Sequence, residues 1–140
     1  MTTSATNAGN ALVGRVEDVL AAMSSGNAEK LGELFAENLV YRLTGQHQFS
    51  GTYEGRQSLL GLLAGVAAGF RDGIHYTVDR VIAVDDTVVA TFTGTGTTVN
   101  GDDYRNDYCA IWDFDDHRQV IRITEYFDSD HVAKVLTQTA

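Results

Sequence analysis

The second half of the chain sets the tightest limit on the fold. Three turn signals, Asp85-Asp86, Asn100-Gly101 and Asp115–Arg118, divide residues 74–128 into four runs of alternating or β-branched character. Ile74–Val84, Thr87–Thr98, Tyr104–Phe114 and the run from Val120 read as strands, because side chains on a strand alternate between two faces. Asn-Gly and Asp-Asp between such runs are hairpin chemistry. Consecutive strands joined by turns this short pair as an antiparallel meander.

The first half is helical by period. Leu12, Val13, Val16, Val19, Leu20 and Met23 recur at three- and four-residue spacing, which predicts an amphipathic helix over 11–24. Ser24-Ser25-Gly26 ends it, and Asn27 can cap a shorter helix to about Ala36. From Asn38 the period changes to two, with Leu39, Tyr41 and Leu43 on one face of a strand. Gly45 to Thr52 reads as a polar loop holding His47 and Phe49. A long helix over 54–70 follows, with Leu59, Leu62, Leu63, Val66 and Phe70 facing inward. Its glycines, Gly61, Gly65 and Gly69, suggest close approach of another element. Ser129 can cap a last helix carrying Val132, Val135 and Leu136. Helices grouped against one face of an antiparallel sheet make an α+β fold. A long twisted sheet curls into a half-cone around them and leaves a cavity on its concave side.

With 140 residues the chain suits one domain with a real core, expected over 11–140 after a flexible start at 1–10. The net charge is −9 and no basic run occurs, which argues against nucleic acid or an anionic membrane as partner. Cys109 is the single cysteine, so an internal disulfide is impossible and secretion is not suggested; a cytoplasmic location is the expectation. No stretch is apolar enough to span a bilayer, and residues 1–10 lack the features of a signal peptide.

The last strand, Val120–Asp128, carries the chemical question. Ile121, Ile123, Glu125 and Phe127 share one face; Arg122, Thr124, Tyr126 and Asp128 share the other. A carboxylate on an apolar face is costly unless it is paired, protonated or turned to a polar pocket. On the preceding strand Tyr104, Asn106, Tyr108, Ala110, Trp112 and Phe114 share a face. If the terminal hairpin joins these faces, Glu125, Asn106 and Tyr108 converge, and Tyr41 can close the group. Leu63, Phe92, Trp112 and Phe127 are the expected pocket walls, with His47 on a loop able to cover them. The plain alternative is that Glu125 pairs with Arg56, Arg80 or Arg122, or caps the terminal helix.

Other groups point nowhere special. His75, His117 and His131 read as surface residues. No His and acid pair has metal-ligand spacing, so no metal is expected. Asp115-Asp116 reads as a solvated turn and not a calcium loop. Cys109 falls on the strand face opposite the pocket, which speaks against a nucleophilic role. Gly94-Thr95-Gly96 lies within a strand, where absent side chains would widen the cavity.

The element order, with Phe35-Ala-Glu-Asn-Leu-Val-Tyr41, Gly51-Thr-Tyr-Glu-Gly-Arg56 and Glu125-Tyr-Phe-Asp128, resembles the nuclear transport factor 2-like superfamily. The nearest branches are the SnoaL-like polyketide cyclases and ketosteroid-isomerase-related proteins. The resemblance implies a cone-shaped α+β barrel of cystatin-like topology and a homodimer. It does not carry the steroid-isomerase residues: Val19, Arg42 or Leu43, and Ala110 stand where that pattern places a tyrosine and two aspartates. Limonene-epoxide hydrolase machinery is half missing too, with Phe92 and Gly94 in place of the Arg-x-Asp pair and Leu43 in place of an asparagine. The single pocket acid of the cyclases fits Glu125. The expected function is therefore a cofactor-independent isomerase, cyclase or lyase. In it Glu125 takes a proton from a hydrophobic carbonyl compound while Tyr41, Asn106 and Tyr108 hold the oxygen. A non-catalytic ligand-binding or dimerisation module and an epoxide hydrolase-like enzyme are the alternatives. The outer sheet face, with Arg105, Asp107, Cys109, Ile111, Thr124 and Tyr126, is the expected dimer surface.

Overall fold

A computed structural model describes residues 7–137. The elements run α1 (Asn7–Ser25), α2 (Ala28–Leu34), β1 (Phe35–Leu43), β2 (Gly51–Glu54), α3 (Arg56–Ala67), β3 (His75–Val84), β4 (Thr87–Thr97), β5 (Asp103–Phe114), β6 (Val120–Phe127) and α4 (Ser129–Thr137). The helix thus starts at Asn7, inside the segment expected to be loose; residues 1–6 lie outside the described part, as do 138–140. The side chain of Leu136 is also outside it.

The strands form one sheet in the order β2-β1-β6-β5-β4-β3. The meander β3 to β6 is antiparallel, as the turn chemistry predicts. One pairing departs from an all-antiparallel sheet: β1 runs parallel to β6, with Tyr41 opposite Ile123 and Leu43 opposite Glu125. Periodicity cannot specify the direction of a partner 80-odd residues away, and the helices between allow the crossover a parallel pair needs. Part of the expected polar loop is strand β2, paired antiparallel to the end of β1.

Register shifts lie in β1, between Val78 and Arg80, and between Asp113 and Phe114. Such bulges bend and twist strands, and here they curl an open sheet around α1 to α3. The last one leaves Ile121 without an opposite residue, so Val120, fully buried, takes the core place that strict alternation gives to Ile121. Along β5 the alternation holds without a break: Tyr104, Asn106, Tyr108, Ala110, Trp112 and Phe114 are all buried.

Four local expectations change. Phe35 opens β1 instead of ending a helix, and α2 is held at its C-terminal end by the Arg56 guanidinium, which donates to the carbonyls of Gly32 and Phe35 at 3.1 and 3.4 Å. The N-cap of α4 is Asp128, not Ser129: its carboxylate accepts from the His131 amide at 3.2 Å. Gly61 and Gly65 face open space, so they host no close approach. Gly94 does the opposite of widening the cavity. A Cβ there would meet Ile74 and the Tyr108 ring at 2.9 Å, so the absent side chain is filled by its neighbours.

Candidate functional site

Glu125 stands mid-sheet on the concave face. Leu43 flanks it on β1 and Ala110 on β5, and the alanine leaves room beside the carboxyl group. Its backbone is fixed by Thr44, whose amide and hydroxyl both donate to the Glu125 carbonyl, at 3.2 and 2.8 Å. Only 9% of the residue is exposed. The Tyr41 hydroxyl donates to Oε2 at 2.9 Å. None of the ion pairs among the described residues involves Glu125, and Arg56 is spent on backbone carbonyls. Burial pushes the carboxyl pKa from 4.5 up to about 7, and the Tyr41 hydrogen bond pulls against that rise. An acid so placed is part proton donor, part base at neutral pH.

The chamber in front of it measures about 60 Å³. Four tyrosines reach it: Tyr41, Tyr76, Tyr104 and Tyr108. Burial raises the pKa of each, to about 12 for Tyr104, and the Glu125 charge adds to the rise. They therefore stay protonated and serve as donors. The Tyr104 and Tyr108 hydroxyls are hydrogen-bonded to each other. Phe127 stacks on Tyr108 with centroids 5.6 Å apart and meets His47 in a T-shaped contact at 5.3 Å.

His47 does cover the chamber. Its Nδ1 accepts the Phe49 amide at 3.1 Å, which places the proton of the neutral ring on Nε2. That Nε2 is buried and has no hydrogen-bond partner among the described residues. Burial lowers the imidazole pKa, so the ring favours its neutral form. The loop itself is tied by Ser50, which accepts from the His47 amide and donates to the Thr44 carbonyl.

Of the expected site residues, Tyr41, His47, Leu63, Tyr108, Glu125 and Phe127 line the chamber. Three do not. Asn106 is on the right face, but its amide is spent on the backbone of Asp128, donating and accepting at 3.0 Å. It ties β5 to the start of α4. Phe92 lies behind the wall, stacked on Tyr108 at 5.0 Å. Trp112 is two pairs further along the hairpin, on the same face, and borders a void of about 10 Å³ behind Glu125. Reading by parity missed Tyr76, whose alternation with Ile74 and Val78 was the available signal. His131, expected at the surface, is half-buried and stacks on Tyr104 at 5.5 Å.

A curved open sheet closed by three helices is a fold found in other proteins. The SnoaL-like domain family model matches residues 16–126. The chain belongs to the SnoaL-like domain family. Solved structures agree on the fold. This SnoaL-like chain is 23% identical to Bal32a from a soil-derived mobile gene cassette, with a TM-score of 0.80 over 91% of this chain and 96% of that one. A hypothetical protein with ketosteroid isomerase-like fold from Catenulispora acidiphila, solved with trimethylamine, is 20% identical with a TM-score of 0.70 over 80% and 83%. TerC, co-crystallised with polyporic acid, is 18% identical with a TM-score of 0.78 over 90% and 98%. No curated protein matches the SnoaL-like chain. At such identities these likenesses establish the fold and no more.

Proposed function

We propose that this protein is a small enzyme in which Glu125 acts as general base on a hydrophobic carbonyl compound, as an isomerase, cyclase or lyase would. The observation that carries the reading is the state of Glu125: buried, without a cation among the described residues, held by one tyrosine and poised at about pH 7. A base works best with its pKa near the working pH. Removal of a proton next to a carbonyl leaves charge on oxygen, and buried O–H and N–H donors stabilise it. Tyr41 sits on the base itself, so Tyr76, the one free O–H of the Tyr104–Tyr108 pair and His47 Nε2–H are the groups left to meet that oxygen. Asn106 is not among them. The chemistry needs no cofactor. Phe92 and Gly94 offer no polar group for epoxide opening, so that alternative is not carried forward.

The test needs no natural substrate. In heavy water the protein should catalyse deuterium exchange at the carbon next to the carbonyl of a small ketone such as methyl propyl ketone, followed by NMR. Glu125→Gln should reduce the exchange by at least about 100-fold while leaving the fold intact. Exchange at an undiminished rate in the variant removes Glu125 as the base.

A second reading has its own support. The chamber is small, about 60 Å³, and rings surround a lone carboxylate. That arrangement suits an alkylated ammonium ion, which aromatic faces and an acid both attract. The Catenulispora neighbour was solved with trimethylamine. In this reading the protein binds without turnover, and trimethylammonium should raise its melting temperature only above pH 7, where Glu125 is ionised.

Both readings use a homodimer formed through the outer sheet face, where a groove is lined by Arg105, Asp107, Cys109 and Tyr126. Tyr126 is 46% exposed there, a large ring left to the surface.

A further inference from the structure

The Glu125 chamber is too small for the whole of a polycyclic or long-chain ligand, yet it is not isolated. A second cavity of about 320 Å³ lies between the C-terminal end of α1, α2, α3 and the start of β3. Its walls are apolar, among them Leu31, Leu60, Ala64 and Ala67. Five residues belong to both walls: Met23, Leu63, Val66, Ile74 and Tyr76. The partition is thus one side chain thick. Met23 and Leu63 also border the void behind Glu125, so both stand at the meeting of all three spaces. Met23, Leu63, Val66 and Tyr76 are half-buried and not locked in the core. Met23 is unbranched and turns at little cost. Ala64 and Ala67 are exposed, so the outer cavity opens to solvent between α2 and α3.

We propose that the two cavities form one bipartite site: the inner chamber takes the polar head of the ligand, and the outer cavity takes its apolar body, with Met23 and Leu63 as the gate between them. The proposal rests on the reading of Glu125 as the polar end of the site. The ligand class follows from what each half offers. Among the described residues the outer half has no charged group, so it takes hydrocarbon, in an elongated or flat form able to pass the partition. The inner half has an acid and phenols but, among the described residues, neither Arg nor Lys, so carboxylate and phosphate heads are disfavoured and a carbonyl head is accepted. The ligand is a ketone or aldehyde with a hydrocarbon body larger than the inner chamber. Selectivity by size then lies with Met23, Leu63 and Ala64, far along the chain from the acid.

The test uses a series of probes: methyl propyl, methyl hexyl and methyl nonyl ketones. Trp112 is the only tryptophan and borders the void behind Glu125, so quenching of its fluorescence reads binding. In the unaltered protein affinity should rise roughly fourfold per added methylene, the gain expected of hydrocarbon leaving water. Ala64→Phe fills the outer cavity from an exposed position. It should cancel the gain for the nonyl ketone and leave the propyl ketone unchanged; Ala67→Phe serves as a second plug should the first variant fold poorly. Met23→Phe, which adds bulk at the gate without a second tryptophan, should exclude all but the shortest probe. Affinity that does not depend on chain length, or a nonyl ketone held equally well by the plugged variant, overturns the bipartite site. The base is read separately: absence of a tail effect in the unaltered protein with Glu125-dependent exchange intact sinks the outer cavity alone, and a tail effect without Glu125-dependent exchange sinks only the base.

Discussion

Glu125 shows how one burial sets two observable pH dependences. Its pKa rises from 4.5 to about 7 on folding. Between those values the folded protein holds a proton that the unfolded chain has released, so stability falls as pH rises and levels off above 7. The shift corresponds to about 3 kcal/mol at pH 8, since one unit is about 1.4 kcal/mol. Glu125→Gln cannot ionise and keeps an acceptor for Tyr41. Denaturant unfolding should find the variant close to the parent at pH 4 and more stable by about 3 kcal/mol at pH 8. Activity runs the other way, because a base must be ionised: the rate should climb through pH 7. Tyr41→Phe removes the bond that holds the acid down, so the midpoint of the rate profile should move above 7. An unmoved midpoint would mean that Tyr41 does not act on the acid.

At the scale of elements, β4 decides how tightly the aromatic wall closes. Gly94 faces Ile74, Tyr76 and Tyr108, with the first and last within 2.9 Å of where a Cβ would be. Gly94→Ala should destabilise by about 1–3 kcal/mol and enlarge the Glu125 chamber by displacing the Tyr108 ring. Gly61 on α3 has nothing within 4 Å of that position. Gly61→Ala should instead stabilise by about 0.5–1 kcal/mol, the usual gain for alanine in a helix. Thermal unfolding of the two variants side by side checks both signs. Opposite outcomes at two glycines trace to what each one faces.

For the whole molecule the dimer is the open quantity. The curled sheet keeps its helices on the concave side and leaves Tyr126, Cys109 and Ile111 on the other. If two copies meet there, light scattering should give twice the chain mass of 15.2 kDa. Tyr126→Glu, which puts a charge at the centre of that face, should return a monomer of unchanged fold. A parent chain that already runs as a monomer would end this part of the proposal.

Much of the architecture was legible in residue order. Period-two runs cut by Asn100-Gly101 and two acidic turns allow little besides a meander, and the even face of β5 was correct to the residue. Glu125 could be singled out because an acid on an apolar face is physically odd. What alternation cannot carry is anything that depends on a distant backbone. The parallel β1–β6 pairing, the bulge that exchanges Ile121 for Val120, and the capture of Asn106 by Asp128 all depend on partners remote in sequence or on a break in the period. The same holds for the site. Residue order by itself determined that a buried acid and several phenols would share one side of a curved sheet. Only tertiary structure decided that no guanidinium among the described residues reaches that acid, that Gly94 is packed full, and that a second apolar cavity adjoins the first. Each of these is a matter of which side chain occupies a given few ångströms.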